Sequence, residues 1–262
     1  MGRAENQLFG VQAAEPVLAD CAVAFADAMG ISRRSSDPET AARFLQVMHA
    51  AQTDGRRFLH GEEYAFGLSS QWFSDNVCVS VPYDGWRSLS TVTRSVGVLA
   101  ARFALEGVFL RGAVTVDLHY QSETVAFGPG LTQAARAEKD TFYPRIMMLD
   151  RASQIVHADA AGRIAPLAVD GDDQTLFVDF IQYLDEDLME LAEAIVAAGK
   201  EAVDIQDTRE RTRAEEQVGW LEAYYTDATH RSPRSPKRRL KNVPGRFATI
   251  TQIPRNTKAR KE

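Results

Sequence analysis

Two periods of apolar residues take turns along the chain. The run CAVAFADAMGI at residues 21–31 opens with six apolar positions and stops near a glycine. That reads as a buried strand. The next segment, SRRSSDPETAARFLQVMHAAQ, changes to a helical period. Ser36 or Asp37 offers the N-cap and Pro38 suits the first turn. Ala42, Leu45, Val47, Met48 and Ala51 follow as its apolar face. Tyr64–Ser70 and Trp72–Val81 read as two strands or one bent pair, with Asp75-Asn76 at the turn of a half-buried hairpin. Ser88–Glu106 is a helix with Leu89, Val92, Val96, Leu99, Ala100 and Phe103 on one face. Val108–Val116 is a strand whose start Gly107 punctuates. Leu131–Glu138 is helical, Pro144–Leu149 is a strand, and Thr175–Tyr183 is another behind the turn-like DGDD. Leu184–Ala198 and Arg209–Thr226 are amphipathic helices. This order predicts an α/β sandwich: a mixed central sheet, helices outside it, and two C-terminal helices appended. The expected divisions are a core over residues 15–184, a helical appendage over 185–230 and a basic tail over 231–262.

Composition adds little to that picture, but charge does. The chain has 262 residues, enough for one sizeable core. No apolar run is long enough to span a bilayer, so no membrane contact is expected. The N-terminal MGRAENQLFG lacks the basic-then-apolar order of a signal peptide. Cys21 and Cys78 each sit in an apolar run, and read as small buried hydrophobes in a reducing cytoplasm. The five histidines and two cysteines have no zinc-ligand spacing. Eleven of the 30 Lys/Arg lie from Arg231 onward with one acid, so the preceding 230 residues carry 19 basic and 35 acidic side chains. So acidic a body is a poor nucleic-acid binder, and no direct nucleic-acid partner is expected.

The same acidity draws attention to carboxylates at strand ends. Asp27 closes an apolar strand, where an acid costs burial unless it is exposed, paired or metal-bound. Gly30 allows a tight turn behind it, and the N–H groups of Ala28, Met29, Gly30 and Ile31 are placed to face an anion. Asp75 sits in a hairpin 48 residues further on, with one helix between. If the two strands are neighbours, the carboxylates face each other and need a cation. Mg²⁺ or Mn²⁺, hard ions that share sites with phosphates, would satisfy them. Two such ions can clamp an attacking and a leaving oxygen.

FADAMGI resembles the first-strand metal motif of class III nucleotide cyclases, and WFSDNVCVSV resembles their second metal hairpin. FLRGAVTVDLHY and then GPGLTQAARAE follow in the order of that family's later strand and catalytic helix. KDTFYPRIMMLD, GDDQTLFVDFIQYL and EEQVGWLEAYY resemble more narrowly the Pycsar pyrimidine cyclases, bacterial antiphage enzymes that make cyclic UMP or cyclic CMP. The resemblance covers residues 21 to about 225 and leaves the tail aside.

The resemblance implies a class III cyclase-like fold and a reaction. Asp27 and Asp75 would bind two metal ions, helped by the carbonyl of Ala28. Arg136 would stabilise charge on the phosphates. Thr132 stands where many cyclases carry Asn, so its ribose contact would differ. Outside the motif order, Arg136 reads as an exposed helix residue paired with nearby acids. Gln71 stands where adenylate cyclases of this class carry Lys. Val125 stands where they carry Asp or Thr, and cannot accept a hydrogen bond from an adenine amino group. These departures favour a pyrimidine, UTP ahead of CTP. Of Trp72 and Phe73, one must point to the core. Arg111 and Arg145 read as structural, with the triphosphate as the alternative. Asp117 and His119 read as solvent-facing, and Asp170 to Asp173 as a turn. The family also implies a homodimer whose sites are shared between subunits, a separate cyclic-nucleotide-binding effector, and a cytoplasmic setting. The competing readings are an adenylate or guanylate cyclase, and an inactive cyclase-like binding module.

Overall fold

The structure, a computed structural model, describes residues 16–31, 37–60, 68–122, 124–164, 166–184, 187–231 and 247–249. Within them one mixed sheet contains β1 (Ala19–Ala28), β2 (Ser69–Phe73), β3 (Asn76–Pro82), β4 (Leu110–Gln121), β5 (Ala126–Phe127), β6 (Ile146–Met148), β7 (Leu167–Asp170), β8 (Leu176–Val178) and β9 (Phe247–Thr249). Outside it lie α1 (Pro38–His60), α2 (Trp86–Leu105), α3 (Pro129–Asp140), α4 (Asp150–Ala158), α5 (Leu188–Val203) and α6 (Thr208–Arg231), with a 3₁₀ turn at Phe180–Tyr183. The sheet order is β2-β3-β1-β4-β6-β8-β7-β9, and β5 pairs back on β4. β4 and β6 run parallel; the other pairings are antiparallel.

β1 is central because both of its faces find cover. Ala22, Ala24, Ala26 and Ala28 point into the main core, where α2 supplies Leu89, Val92, Val96, Leu99 and Phe103. Side chains this small let a helix approach the sheet closely. Gly112 of β4 serves the same crowding: a Cβ there would meet the carbonyl oxygen of Phe25 at 2.2 Å. The other face of β1 forms a smaller cluster from Cys21, Val23 and Cys78, joined by Phe25, Ala126 and Leu131. Both cysteines are buried and free. Trp72 stacks on Phe103 with ring centroids 6.1 Å apart, whereas the adjacent Phe73 is exposed.

Several elements depart from the periodic reading. Asp37 does cap α1, accepting from the Thr40 N–H at 2.8 Å. The buried face of α1 is Phe44, Val47 and Met48, however, and Leu45 and Ala42 are exposed. Over residues 38–50 the helix uses one narrow stripe, and its apolar residues there exceed what that stripe can hold. Ser36 and residues 64–67 lie outside the described residues. The hairpin turn is Ser74-Asp75, not Asp75-Asn76. Asn76 already pairs with Phe73, and the left-handed residue is Ser74, φ 59°. β4 runs on to Gln121. Near its end the burial alternates against expectation: Leu118 is exposed and His119 buried. The cause is a polar cluster in which Gln121 Oε1 lies 3.1 Å from His119 Nε2 and accepts from Ser80 Oγ at 2.7 Å.

α4 and β7 escaped the sequence pattern. α4 buries only Ala152 and Val156, and β7 is four residues long, too few positions to establish a period. The expected strand over Thr175–Tyr183 is β8 followed by the 3₁₀ turn, with Asp179 between them. α5 and α6 contribute Leu191, Ile195, Trp220, Leu221 and Tyr224 to the main core. Within the basic C-terminal segment, β9 pairs with β7. Among the described residues, no helix is long and apolar enough to cross a membrane.

Candidate functional site

Strand register brings the two sequence-distant carboxylates together. β1 and β3 pair antiparallel with Asp27 opposite Asn76, so the β2–β3 turn arrives beside the end of β1. The Ala28 N–H donates to the Asp75 carbonyl at 3.0 Å, and Met29 N–H to Phe109 at 2.9 Å, which fixes the chain as it leaves the sheet. Asn76 Nδ2 donates to the Asp75 side chain at 3.1 Å and holds it at the turn. Gly30, φ 78°, then reverses the chain, a left-handed conformation that suits glycine. Asp27, Ala28, Met29, Gly30, Ile31 and Asp75 all line one cavity of about 390 Å³.

Charge in this cavity is strongly coupled. Arg111 faces Asp27 across β1–β4 and donates to its Oδ2 at 3.2 Å. Its Nε lies 2.6 Å from Glu138 Oε1, an ion pair whose alignment falls short of a hydrogen bond. Glu138 is buried on the face of α3 that also buries Gly130 and Ala134. The Asp27 carboxyl is pushed up to about 6, first by burial and then by the Glu138 charge. Arg111 opposes that rise and Asp75 adds to it. Asp27 and Glu138 therefore share one guanidinium while Asp75 adds a third negative charge nearby, and further positive charge would be favourable there.

The donor set suits a hard divalent ion. Asp27 and Asp75 supply carboxylate oxygens to one cavity, and Ala28 lines it beside them. Among the described residues no group of three or more His, Cys, Asp or Glu could hold a metal alone. Mg²⁺ commonly takes one or two carboxylates and completes its shell with water and phosphate. Asp27 and Asp75 fit that pattern.

The other residues singled out by sequence lie elsewhere in the chain. Arg136 is exposed on α3 and borders a separate depression with Asp117, Gln133 and Arg151. Thr132 is exposed, its hydroxyl donating to the Gly128 carbonyl at 3.1 Å. Gln71 sits on β2 opposite Cys78, and its Oε1 is buried with no partner among the described residues. Val125 is exposed just before β5, and its N–H donates to Ser122 Oγ at 3.1 Å. One chain thus unites Asp27, Asp75 and the 28–31 turn, and leaves Gln71, Val125, Thr132 and Arg136 outside their cavity.

Sequence reasoning missed Glu138 as a site neighbour. Its signal was available: an acid four residues after Ala134 and eight after Gly130 continues the sheet-facing stripe of α3. Arg111 had no comparable signal, because its pairing with Asp27 depends on register. The Arg145 side chain does not line this cavity, although Pro144 before it does. It is buried, donating to Asp170 at 2.9 Å and pairing with Asp173.

No family model matches the chain, and no curated protein matches it. Among solved structures it is similar to the adenylyl cyclase CyaB from P. aeruginosa, at 13% identity and TM-score 0.43, covering 62% of this chain and 93% of that one. It is also similar to a bacterial light-regulated adenylyl cyclase, at 11% identity and TM-score 0.44, covering 68% and 100%. A third is the guanylyl cyclase Cya2, at 13% identity and TM-score 0.41, covering 62% and 91%. Likenesses this slight assign neither a family nor an activity.

Proposed function

We propose that this chain is a metal-dependent nucleotide cyclase. In this reading it converts a pyrimidine nucleoside triphosphate, UTP ahead of CTP, to the 3′,5′-cyclic monophosphate and pyrophosphate. The observation that carries the reading is the meeting of Asp27 and Asp75 in one cavity at the turn of residues 28–31. The ribose 3′-oxygen forms a bond to the α-phosphorus, the bond from that phosphorus to the bridging oxygen breaks, and pyrophosphate leaves. Bound Mn²⁺ or Mg²⁺ supplies Lewis acidity to the triphosphate and the 3′-hydroxyl. Asp27 and Asp75 hold the ions. The Ala28 and Met29 N–H groups are already taken by the Asp75 and Phe109 carbonyls, so Gly30 and Ile31 are the backbone candidates for phosphate oxygens. Positioning and charge stabilisation do the rest.

Arg136 stands apart from Asp27 and Asp75 of its own chain, which supports a homodimer in which each site takes Arg136 from the partner subunit. Gln71 is the candidate for reading the base, since its unpartnered amide oxygen can accept from a pyrimidine edge. Thr132 and Val125 are assigned to ribose and base on resemblance alone. A signalling role in antiphage defence, a separate cyclic-nucleotide-binding effector and a cytoplasmic location belong to the same proposal. Purified protein incubated with Mn²⁺ and each of UTP, CTP, ATP and GTP tests it, with cyclic products separated by mass. Cyclic UMP or cyclic CMP is expected. A purely purine product would replace the pyrimidine assignment by an adenylate or guanylate cyclase. No product from any nucleotide would leave an inactive binding module, which the Arg111–Asp27 ion pair favours.

A further inference from the structure

The cavity that holds Asp27 and Asp75 has a second wall that the paired strands do not provide. α5 turns Ala198 and Glu201 toward it, and α6 turns Glu210, Arg213, Gln217 and Leu221. The α6 positions recur at three, seven and eleven residues, so a single helix face looks onto the carboxylates. The described lining includes two guanidinium groups, those of Arg111 and Arg213. Arg111 is already engaged by Asp27 and Glu138.

Arg213 is placed differently. It makes no ion pair among the described residues, although Glu210 lies one turn before it on the same face. Its guanidinium rests instead over the Phe142 ring, 5.6 Å from the centroid and inside the ~6 Å reach of such contacts. Gln217 Nε2 donates to the Phe142 carbonyl at 2.8 Å, one helical turn on, and ties α6 to that loop. The result is an exposed, unpaired, planar cation held at the rim of an acidic cavity. Guanidinium forks match phosphate oxygens in a bidentate fashion.

We propose that Arg213 binds the terminal phosphates of the nucleotide, and the pyrophosphate released from it, from the same subunit that supplies Asp27 and Asp75. The inference rests on the cyclase reading for the identity of the ligand. It adds a phosphate contact from a helix beyond the paired-strand core. α6 thereby becomes part of the active site, and its docking on the sheet determines whether the site is complete.

The test uses the full chain and inorganic pyrophosphate with Mn²⁺, followed by calorimetric titration. Arg213→Ala is compared with Arg213→Lys and with Arg211→Ala, which removes an equal charge from an α6 residue outside the cavity lining. Arg213→Ala is expected to weaken pyrophosphate binding by about tenfold or more, Arg213→Lys by less, and Arg211→Ala by about twofold at most. Equal affinity in the Arg213→Ala and Arg211→Ala proteins would overturn the proposal, as would absence of pyrophosphate binding in the unmodified protein. Turnover separates it from the parent reading. Arg213-dependent pyrophosphate binding without cyclisation of any nucleotide removes the cyclase and keeps the phosphate site. Cyclisation with a pyrophosphate affinity indifferent to Arg213 does the reverse.

Discussion

Two clusters of arginine and carboxylate sit at different places on the same sheet, and they are built to opposite specifications. In the first, Asp170 is fully buried and accepts from Arg145 at 2.9 Å, Trp220 Nε1 at 2.8 Å and the Asp172 N–H at 3.1 Å. Asp173 joins Arg145 from the turn, and its carboxyl is held below the ordinary aspartate range: burial works against the shift, but the Arg145 hydrogen bond and its neighbours prevail. In the second, Asp27 takes one hydrogen bond from Arg111 at 3.2 Å and faces two further carboxylates. Its carboxyl is pushed up instead of down, chiefly by burial. Donors outnumber charge problems at Asp170; charge problems outnumber donors at Asp27. A carboxylate satisfied by internal donors fixes structure. A network left short of positive charge is where an external cation is favoured.

The largest expected effect tests the second cluster. Asp27→Ala should lower nucleotide turnover by roughly a thousandfold or more, the scale of losing several kcal/mol of metal-borne charge stabilisation. Its folding stability should change by less than about 1 kcal/mol, because the removed group was poorly satisfied. Rate assays and urea titration of the same preparation check both halves. A large stability loss would place Asp27 with the structural cluster and break the contrast.

Asp170→Ala should behave the other way. It leaves Arg145 buried without its main partner and should cost about 3–5 kcal/mol, visible as a lower urea midpoint. Trp220→Phe keeps the ring but deletes the Nε1 donor to Asp170, and should cost about 1–3 kcal/mol. The Tyr143 ring stacks on Trp220 with centroids 5.7 Å apart, so the aromatic packing itself survives that change. A Trp220→Phe protein as stable as the unmodified one would mean that Asp170 is satisfied without the Trp220 donor.

The contrast also explains what the sequence disclosed. The long elements were legible because their periods are long: α2 buries every apolar residue its pattern predicted. Asp27 and Asp75 stood out because each is an acid bounding an apolar strand, a local anomaly. Arg145, Asp179, Trp220 and Tyr224 were conspicuous too, within motifs resembling one cyclase group, whereas Asp170 read only as part of a turn. The structure gives them a packing role: Tyr224 donates to buried Asp179 as Trp220 does to Asp170. The Arg111–Asp27 pair and the α6 wall were not legible. Both depend on register and helix docking across about 80 to 190 residues of intervening chain, which local periodicity does not carry.

The smallest effect concerns the Asp173 side of the structural cluster. Its carboxyl is depressed in the folded protein, so the unfolded chain binds the proton more readily at mildly acid pH. Stability from this group is therefore fully present above the unfolded aspartate value and is lost as pH falls through the lower, folded one. Asp173→Asn removes the charge at every pH, so the variant should be modestly less stable at neutral pH and should converge with the unmodified protein in acid. Urea titrations at a series of pH values below neutrality would show the two midpoints closing. Because Asp173 is partly exposed and Asp170 remains as the buried partner of Arg145, solvent screening keeps the gap at neutral pH small, about 1 kcal/mol or less. A gap that widens in acid would reverse the assigned sign and show that burial, not Arg145, governs this carboxylate.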